Sequence, residues 1–189
     1  MKKNFPLISI VISNYNGAKL DTLKQCLTSF KKVNYPKFEI ILVDNASTDN
    51  SVSVAKEVLG KDPKFKIIQN TVNMYSQGLN LGWKQAKGEY VAFFNNDLEV
   101  DKHYFYSLVE SFDRYPKLAL AQGKLLWYFD HKIIDSAGES MDIYGNPVTI
   151  GYQKKDKGQF DQEAEILSAS GSACMIRKSL FKGVGNYGP

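Results

Sequence analysis

Three short runs of β-branched and aromatic residues, each followed at once by polar residues, constrain the fold of this chain most strongly. The runs are residues 7–12, 39–43 and 90–94, and the polar clusters after them are residues 13–17, 44–49 and 95–97. Unbroken apolar runs of this length are typical of parallel strands that are buried on both faces. If they are parallel strands, their polar clusters meet at the carboxyl edge of one sheet, where open α/β sheets bind ligands.

Helical patterns separate these runs. Leucine and phenylalanine at helical spacing predict a helix over residues 19–32, and similar spacing predicts helices over residues 52–59, 81–87 and 102–115. A further strand is predicted over residues 65–69. This alternation predicts an α/β fold with a mostly parallel sheet, helices on both faces and right-handed crossovers.

The second half of the chain has a more mixed pattern. Residues 118–127 and 166–176 have strand character, while residues 128–165 are rich in glycine, aspartate and lysine. We therefore predict an antiparallel edge to the sheet, and a long loop with short hairpins between the two strands. We expect one domain, in which the regular alternation covers 1–115 and the mixed pattern covers 116–189.

Composition narrows the class of protein. The 189 residues carry 24 basic and 20 acidic side chains, so the net charge is +4, and the basic residues are spread along the chain. This is compatible with an anionic substrate or membrane surface, and it argues against nucleic acid, which favours clustered lysine and arginine. No signal peptide or apolar stretch of about 18 residues is present. We expect a cytoplasmic protein, peripheral at most to the cytoplasmic face of a membrane, with Cys26 and Cys174 as buried free thiols.

Asp44 directly follows the second apolar run. A carboxylate at a sheet edge can accept the imide N–H of uracil or thymine, so Asp44 is a candidate for recognition of a pyrimidine base. The alternative has about equal weight, because aspartate in an Asp-Asn-Ala-Ser sequence also forms turns and caps helices. Asn45 and Ser47 are expected to shape that turn.

Asn95, Asn96 and Asp97 follow the third run. An exposed carboxylate there can bind Mg²⁺ or Mn²⁺, which prefer oxygen ligands and are often held by one carboxylate together with nucleotide phosphates. The two asparagines can bind a ribose or a metal-bound water. The alternative is an ordinary turn at the end of a strand, where asparagine and aspartate are common.

Residues 70–80 are polar and contain glycine, and they precede the helix predicted over 81–87. Backbone N–H groups at a helix start attract phosphate, which makes Asn80 a candidate nucleotide-binding residue; helix capping is the competing explanation. Two isolated histidines do not form a zinc motif. The chain also lacks the glycine-rich and nucleophile motifs of P-loop proteins, dinucleotide-binding enzymes and α/β-hydrolases.

Four segments in this order resemble the family 2 inverting glycosyltransferases, which have the GT-A fold. They are residues 11–17, 35–51, 88–97 and 171–177. The resemblance implies a nucleotide-diphosphate-sugar donor, a divalent metal, and a glycan or lipid-linked glycan as acceptor. It also implies a role in polysaccharide biosynthesis.

The resemblance also implies roles for individual residues. Asp44 matches the aspartate that reads the pyrimidine base. Asn14, Tyr15 and Asn16 match a segment that lines the nucleotide.

Asp97 matches the last carboxylate of the family's Asp-x-Asp element, in which Asn95 here replaces the first aspartate. The Asn-Asn-Asp variant resembles the branch that includes rhamnosyl- and galactofuranosyltransferases and indicates a UDP- or dTDP-linked donor. Residues 73–82 depart from the family's usual glycine-rich stretch, since larger residues stand at 74–76.

The resemblance identifies no catalytic base within the chain. Family members carry that base, an aspartate, shortly after the segment that matches residues 183–189. The resemblance therefore implies a catalytic domain that is incomplete at its carboxyl end, with the base beyond Pro189. It also implies a nucleotide-binding half over 1–115 and the start of an acceptor half over 116–189. Two functions stay open: an inverting glycosyltransferase, and a nucleotide-sugar-binding module without turnover. A related nucleotidyltransferase is disfavoured, because the first run does not lead into a glycine-rich loop that contains arginine.

Overall fold

The computed structural model describes residues 5–181. In chain order its elements are β1 (Ile8–Asn14), α1 (Thr22–Lys31), β2 (Phe38–Asn45), α2 (Ser51–Leu59), β3 (Phe65–Asn70), α3 (Tyr75–Gln85), β4 (Tyr90–Asn95), α4 (Tyr104–Arg114), β5 (Leu120–Ala121), β6 (Leu125–Leu126), β7 (Ile134–Ser136), β8 (Glu139–Met141), β9 (Pro147–Thr149) and β10 (Ala173–Arg177). A 3₁₀ turn over Lys178–Phe181 follows β10.

Six strands form one mixed sheet in the order β3-β2-β1-β4-β10-β5. The first four in chain order are parallel, and β1 lies between β2 and β4. β10 is antiparallel to both β4 and β5. The predicted parallel sheet with an antiparallel edge is thus confirmed, and the polar ends of β1, β2 and β4 meet at one edge.

Helices cover both faces of the sheet. On one face α1, α2 and α4 bury residues such as Phe30, Ala55 and Phe105 against alternate residues of the central strands. On the other face α3 packs closely on β1, because Gly82 has no Cβ; a Cβ there would lie only 3.1 Å from Cγ2 of Val11. This close approach brings the first turn of α3 to the polar strand ends.

Three predicted boundaries are wrong. The helix predicted over 81–87 begins at Tyr75, six residues earlier. The strand predicted over 118–127 is instead two short strands, β5 and β6, of two residues each. Between them the backbone N–H of Gly123 donates to the hydroxyl of Tyr104 over 3.3 Å. A Cβ on Gly123 would lie 2.5 Å from Cε2 of the Tyr104 ring. The strand predicted over 166–176 shortens to β10, which starts at Ala173.

The region between β6 and β10 contains short hairpins, as predicted. β6 pairs with β7, and β8 pairs with β9 around a turn in which Asp142 accepts hydrogen bonds from Tyr144 and Asn146. Within residues 5–181, none of the helices combines the length and apolar character needed to cross a membrane.

Candidate functional site

Hydrogen bonds between side chains tie the ends of three strands together. Nδ2 of Asn14, the last residue of β1, donates to Oδ1 of Asp44 on β2 over 2.6 Å. Oδ1 of Asn14 accepts from Nδ2 of Asn96, just after β4, also over 2.6 Å. Asn14 and Asp44 are 1% and 2% exposed, so these bonds lie beneath the surface. The structure thus brings together the predicted residues of the first, second and third polar clusters.

Asp44 also closes the turn that follows β2. Its Oδ2 accepts from the backbone N–H of Ser47 over 3.1 Å, and its Oδ1 accepts from the Ser47 hydroxyl over 2.6 Å. Ala46 within this turn has a φ of 58°. The geometry matches the turn-forming alternative, while contact with a pyrimidine base stays a prediction.

The loop after β1 is joined to the same turn. The backbone N–H of Asn16 donates to the Ser47 hydroxyl over 2.9 Å, and Oδ1 of Asn16 accepts from the backbone N–H of Thr48, also over 2.9 Å. Asn16 therefore holds the two loops together. Its neighbour Tyr15 is 47% exposed, which leaves its ring available to a ligand.

A cavity of about 200 Å³ opens at this edge of the sheet. All the side chains that line it are neutral: Ser13, Tyr15, Asn45, Asn73, Tyr75, Asn95 and Asn96. Three of these were predicted as site residues, namely Tyr15, Asn95 and Asn96. The predicted residues Asn14, Asn16 and Asp44 support the cavity from outside its lining, and Asn80 lies in the middle of α3 and does not line it.

Asn45 is a lining residue that sequence reasoning assigned only to a turn. Its Nδ2 donates to the Ser13 hydroxyl over 3.0 Å, and its Oδ1 accepts from Nδ2 of Asn70 over 3.1 Å. Gly78 of α3 packs directly on this amide, because a Cβ there would lie 2.8 Å from Nδ2 and 2.9 Å from Cγ of Asn45. The alternation of side chains along β2 places Asn45 on the face opposite Asp44, but it does not indicate which of the two faces opens into a cavity.

Tyr75 is a second residue that the sequence did not identify as part of the site. From the first position of α3 its hydroxyl reaches Oδ1 of Asn95 over 3.0 Å and the carbonyl oxygen of Gly171 over 3.3 Å. Burial raises the pKa of this hydroxyl, and the neighbouring Cys174 and Asp97 raise it further. The hydroxyl is therefore protonated throughout the physiological range.

Asp97 is exposed and stands next to the lining residue Asn96. Burial, followed by the negative charges of Glu139 and Asp97, raises the pKa of Asp135 on β7, so β7 lies within electrostatic reach of this edge. Within residues 5–181, no three histidine, cysteine or acidic residues form a group that could hold a metal.

The segment expected to precede the catalytic base, residues 183–189, lies outside the described residues. Both cysteines within the described part are free, as predicted, with Cys26 fully buried and Cys174 partly so.

A family profile and two known proteins are similar to this chain in sequence. The profile of "Glycosyl transferase family 2" matches residues 9–185. Poly-beta-1,6-N-acetyl-D-glucosamine synthase of Staphylococcus epidermidis is 32% identical over 184 residues, which cover 95% of this chain and 42% of the synthase. The glycosyltransferase GlyG of Streptococcus pneumoniae is 36% identical over 92 residues, or 48% of this chain and 30% of that protein. The chain thus spans less than half the length of these relatives.

Solved structures show the same fold. The mannosyltransferase PcManGT from Pyrobaculum calidifontis, in complex with GDP-Man and Mn²⁺, superimposes with a TM-score of 0.68 at 16% identity, covering 97% of this chain and 48% of that one. TarS of S. aureus, in complex with UDP-GlcNAc, superimposes with a TM-score of 0.65 at 23% identity and covers 96% and 48%. The GT-A fold predicted from the sequence is confirmed.

Proposed function

Because this chain belongs to glycosyl transferase family 2, a family of enzymes, we propose that it binds a UDP- or dTDP-linked sugar and transfers that sugar with inversion to a glycan or lipid-linked glycan. The observation that carries this proposal is the neutral, amide-rich cavity at the carboxyl ends of β1, β2 and β4, with Asp97 beside it. Such a cavity offers hydrogen bonds to a nucleoside, and the adjacent carboxylate offers a site for the cation that accompanies a diphosphate.

Because the side chains that line the cavity are neutral, the cavity suits the uncharged nucleoside of the donor better than its charged diphosphate. Amide and hydroxyl groups can pair with a base and a ribose, which are uncharged. None of the lining residues is a lysine or arginine that could neutralise a diphosphate. The charge of the diphosphate must therefore be compensated from outside the lining.

Asp97 compensates the charge of the diphosphate indirectly, by binding a divalent cation. We infer that Asp97 and the diphosphate oxygens together hold Mg²⁺ or Mn²⁺, since magnesium is often held by one carboxylate together with nucleotide phosphates. A divalent ion so placed would stabilise the negative charge on the departing diphosphate. Mn²⁺ in the PcManGT complex supports this assignment for the fold.

Tyr15 and Asn45 are the lining residues that we propose to contact the nucleoside, with Asn14 and Asn16 shaping the loops beneath it. Direct contact between Asp44 and the base stays a proposal. It would require the turn to open, because the carboxylate is 2% exposed and hydrogen-bonded to Asn14 and Ser47. Without such a change Asp44 acts on the cavity indirectly, through the Asn14 amide and its bond to Asn96.

A titration of UDP with and without Mn²⁺ tests the proposal. Wild type should bind UDP more tightly with Mn²⁺, and Asp97→Asn should reduce that affinity at least about ten-fold. Uridine affinity should be the same with and without Mn²⁺ and the same in the two proteins. Asp113→Asn is a matched control, since Asp113 is an exposed aspartate on α4. Equal UDP affinity with and without Mn²⁺ in wild type and Asp97→Asn would contradict the metal assignment, and no UDP or dTDP binding would contradict the donor class.

The second candidate function is a nucleotide-sugar-binding module without turnover. It is the alternative that the sequence leaves open beside sugar transfer. Donor hydrolysis and transfer assays, on this chain and on a version extended at its carboxyl end, separate the two functions. Binding without transfer in both proteins would favour the module.

A further inference from the structure

Tyr75 bridges the cavity between elements that are otherwise far apart in sequence. It starts α3, and its hydroxyl contacts Asn95 at the end of β4 and Gly171 in the turn before β10. The side chain is 47% exposed, so it is not fixed by burial in the core. Its position at the cavity therefore depends on these polar contacts.

The contact with Asn95 determines which atoms of the amide face the cavity. A phenol carries one hydrogen, and Oδ1 of Asn95 is the nearer of its two acceptors. With Oδ1 engaged, Nδ2 of Asn95 remains, and it has no hydrogen-bond partner among residues 5–181. The two N–H groups of Nδ2 are thus available to an acceptor oxygen of a ligand in the cavity that Asn95 lines.

Without the Tyr75 hydroxyl, the amide would lose this orientation. The oxygen and nitrogen ends of an asparagine side chain have nearly the same shape, so packing alone distinguishes them poorly. Either end could then face the ligand. The backbone N–H of Asn95, by contrast, donates to the carbonyl of Ser172 over 3.0 Å and keeps the main chain in place.

We propose that Tyr75 is a positioning residue that orients the Asn95 amide, so that its N–H groups bind an oxygen of the sugar diphosphate. This rests on the proposed function and deepens it, because it assigns the first position of the Asn-Asn-Asp element a role as hydrogen-bond donor. A carboxylate at that position could not donate.

A double-mutant cycle tests the proposal. The proteins are wild type, Tyr75→Phe, Asn95→Ala and the double variant, each titrated with uridine, UDP and UDP-GlcNAc in the presence of Mn²⁺. Tyr75→Phe should weaken binding about five-fold, as expected for one neutral hydrogen bond. In the Asn95→Ala background the same change should weaken it by less than about 1.5-fold, because no amide remains to be oriented.

Comparison of the three ligands shows which part of the donor carries the oxygen that the Asn95 amide binds. Uridine affinity should be unchanged by Tyr75→Phe. A loss with UDP places the acceptor on the diphosphate, and a loss with UDP-GlcNAc alone places it on the sugar. Tyr152→Phe is the matched control, because Tyr152 is 52% exposed on another part of the chain.

Two results would overturn the proposal. One is an equal loss from Tyr75→Phe in both backgrounds, which would mean that Tyr75 acts independently of Asn95. The other is an equal loss for uridine, which would mean that the ring only shapes the cavity. Wild type that binds none of these ligands would refute the proposed function itself, whereas wild-type binding with an additive cycle would refute this inference alone.

Discussion

Replacement of Gly78 by alanine tests whether the close contact between α3 and the Asn45 amide maintains the cavity. Gly78 lies within α3 and is buried, and a Cβ there would lie 2.8 Å from Nδ2 of Asn45. Real Cβ atoms essentially never approach a heavy atom so closely. The amide must therefore move, and its hydrogen bonds to Ser13 and Asn70 must break.

The expected loss of stability follows from these two bonds. Leaving buried polar groups unpaired costs about 2 kcal/mol for each broken bond, or about 4 kcal/mol in total. Alanine in place of glycine favours the helix by about 1 kcal/mol. The net decrease in the free energy of unfolding should be about 3 kcal/mol, measured from urea denaturation. UDP affinity should fall as well, because Asn45 lines the cavity.

The effect should reverse in sign when Asn45 is itself alanine. Asn45→Ala removes the amide atoms that the new methyl group would overlap. In that background Gly78→Ala should stabilise the protein by up to about 1 kcal/mol, the gain from helix propensity. A destabilisation of the same size in both backgrounds would refute the reasoning, since the methyl group would then be excluded by something other than Asn45.

Three further predictions concern the same edge of the sheet and the core. Gly17→Ala should lower both the urea midpoint and UDP affinity, because a Cβ there would overlap Nδ2 of Asn96; a variant with unchanged UDP binding would contradict this. The pKa of Asp135 is raised in the folded protein, so ionisation of this carboxyl group destabilises the fold. The stability that its protonated form provides is fully present below the pKa of the unfolded chain, and it is lost as pH rises through the higher pKa of the folded protein. Asp135→Asn should therefore be more stable than wild type at pH 7, and the difference should vanish towards pH 3 in denaturation curves measured across this range. Burial raises the pKa of Cys26 to about 12 and that of Cys174 to about 11, so a thiol reagent at pH 8 should modify the native protein slowly, and the fully buried Cys26 only after unfolding; rapid labelling of Cys26 in the native protein would contradict its burial.

Much of the fold was predictable because its strands are short, apolar and buried on both faces. The same patterns did not reveal where α3 begins. Gly78 disfavours a helix intrinsically, but the missing side chain is what lets α3 approach Asn45, and this packing outweighs propensity. Gly78 is part of an element that extends further than predicted, whereas Gly123 ends a strand earlier than predicted. Its close contact with Tyr104 interrupts a run of residues that is otherwise typical of a strand.

The convergence of the polar strand ends was predictable, while the contacts of individual side chains were not. Asp44 and Asn45 are adjacent at the end of β2, and a strand directs adjacent side chains to opposite faces. Only the packing of α3 decides which face opens into the cavity. Tyr75 could not be found either, because its contacts with Asn95 and Gly171 join residues 20 and 96 positions apart in the chain.

The bonds that join Asn14 to Asp44 and to Asn96 limit how this edge of the sheet can diverge among related sequences. Each of the three strand tips is held by a partner that another tip supplies, so a change in one loop disturbs the other two. Tyr15 and Asn73, which also line the cavity, form no such side-chain bond between strand ends within residues 5–181. Selection for a new donor should therefore alter Asn73 or Tyr15 readily, while Asn14, Asp44 and Asn96 should be replaced only together.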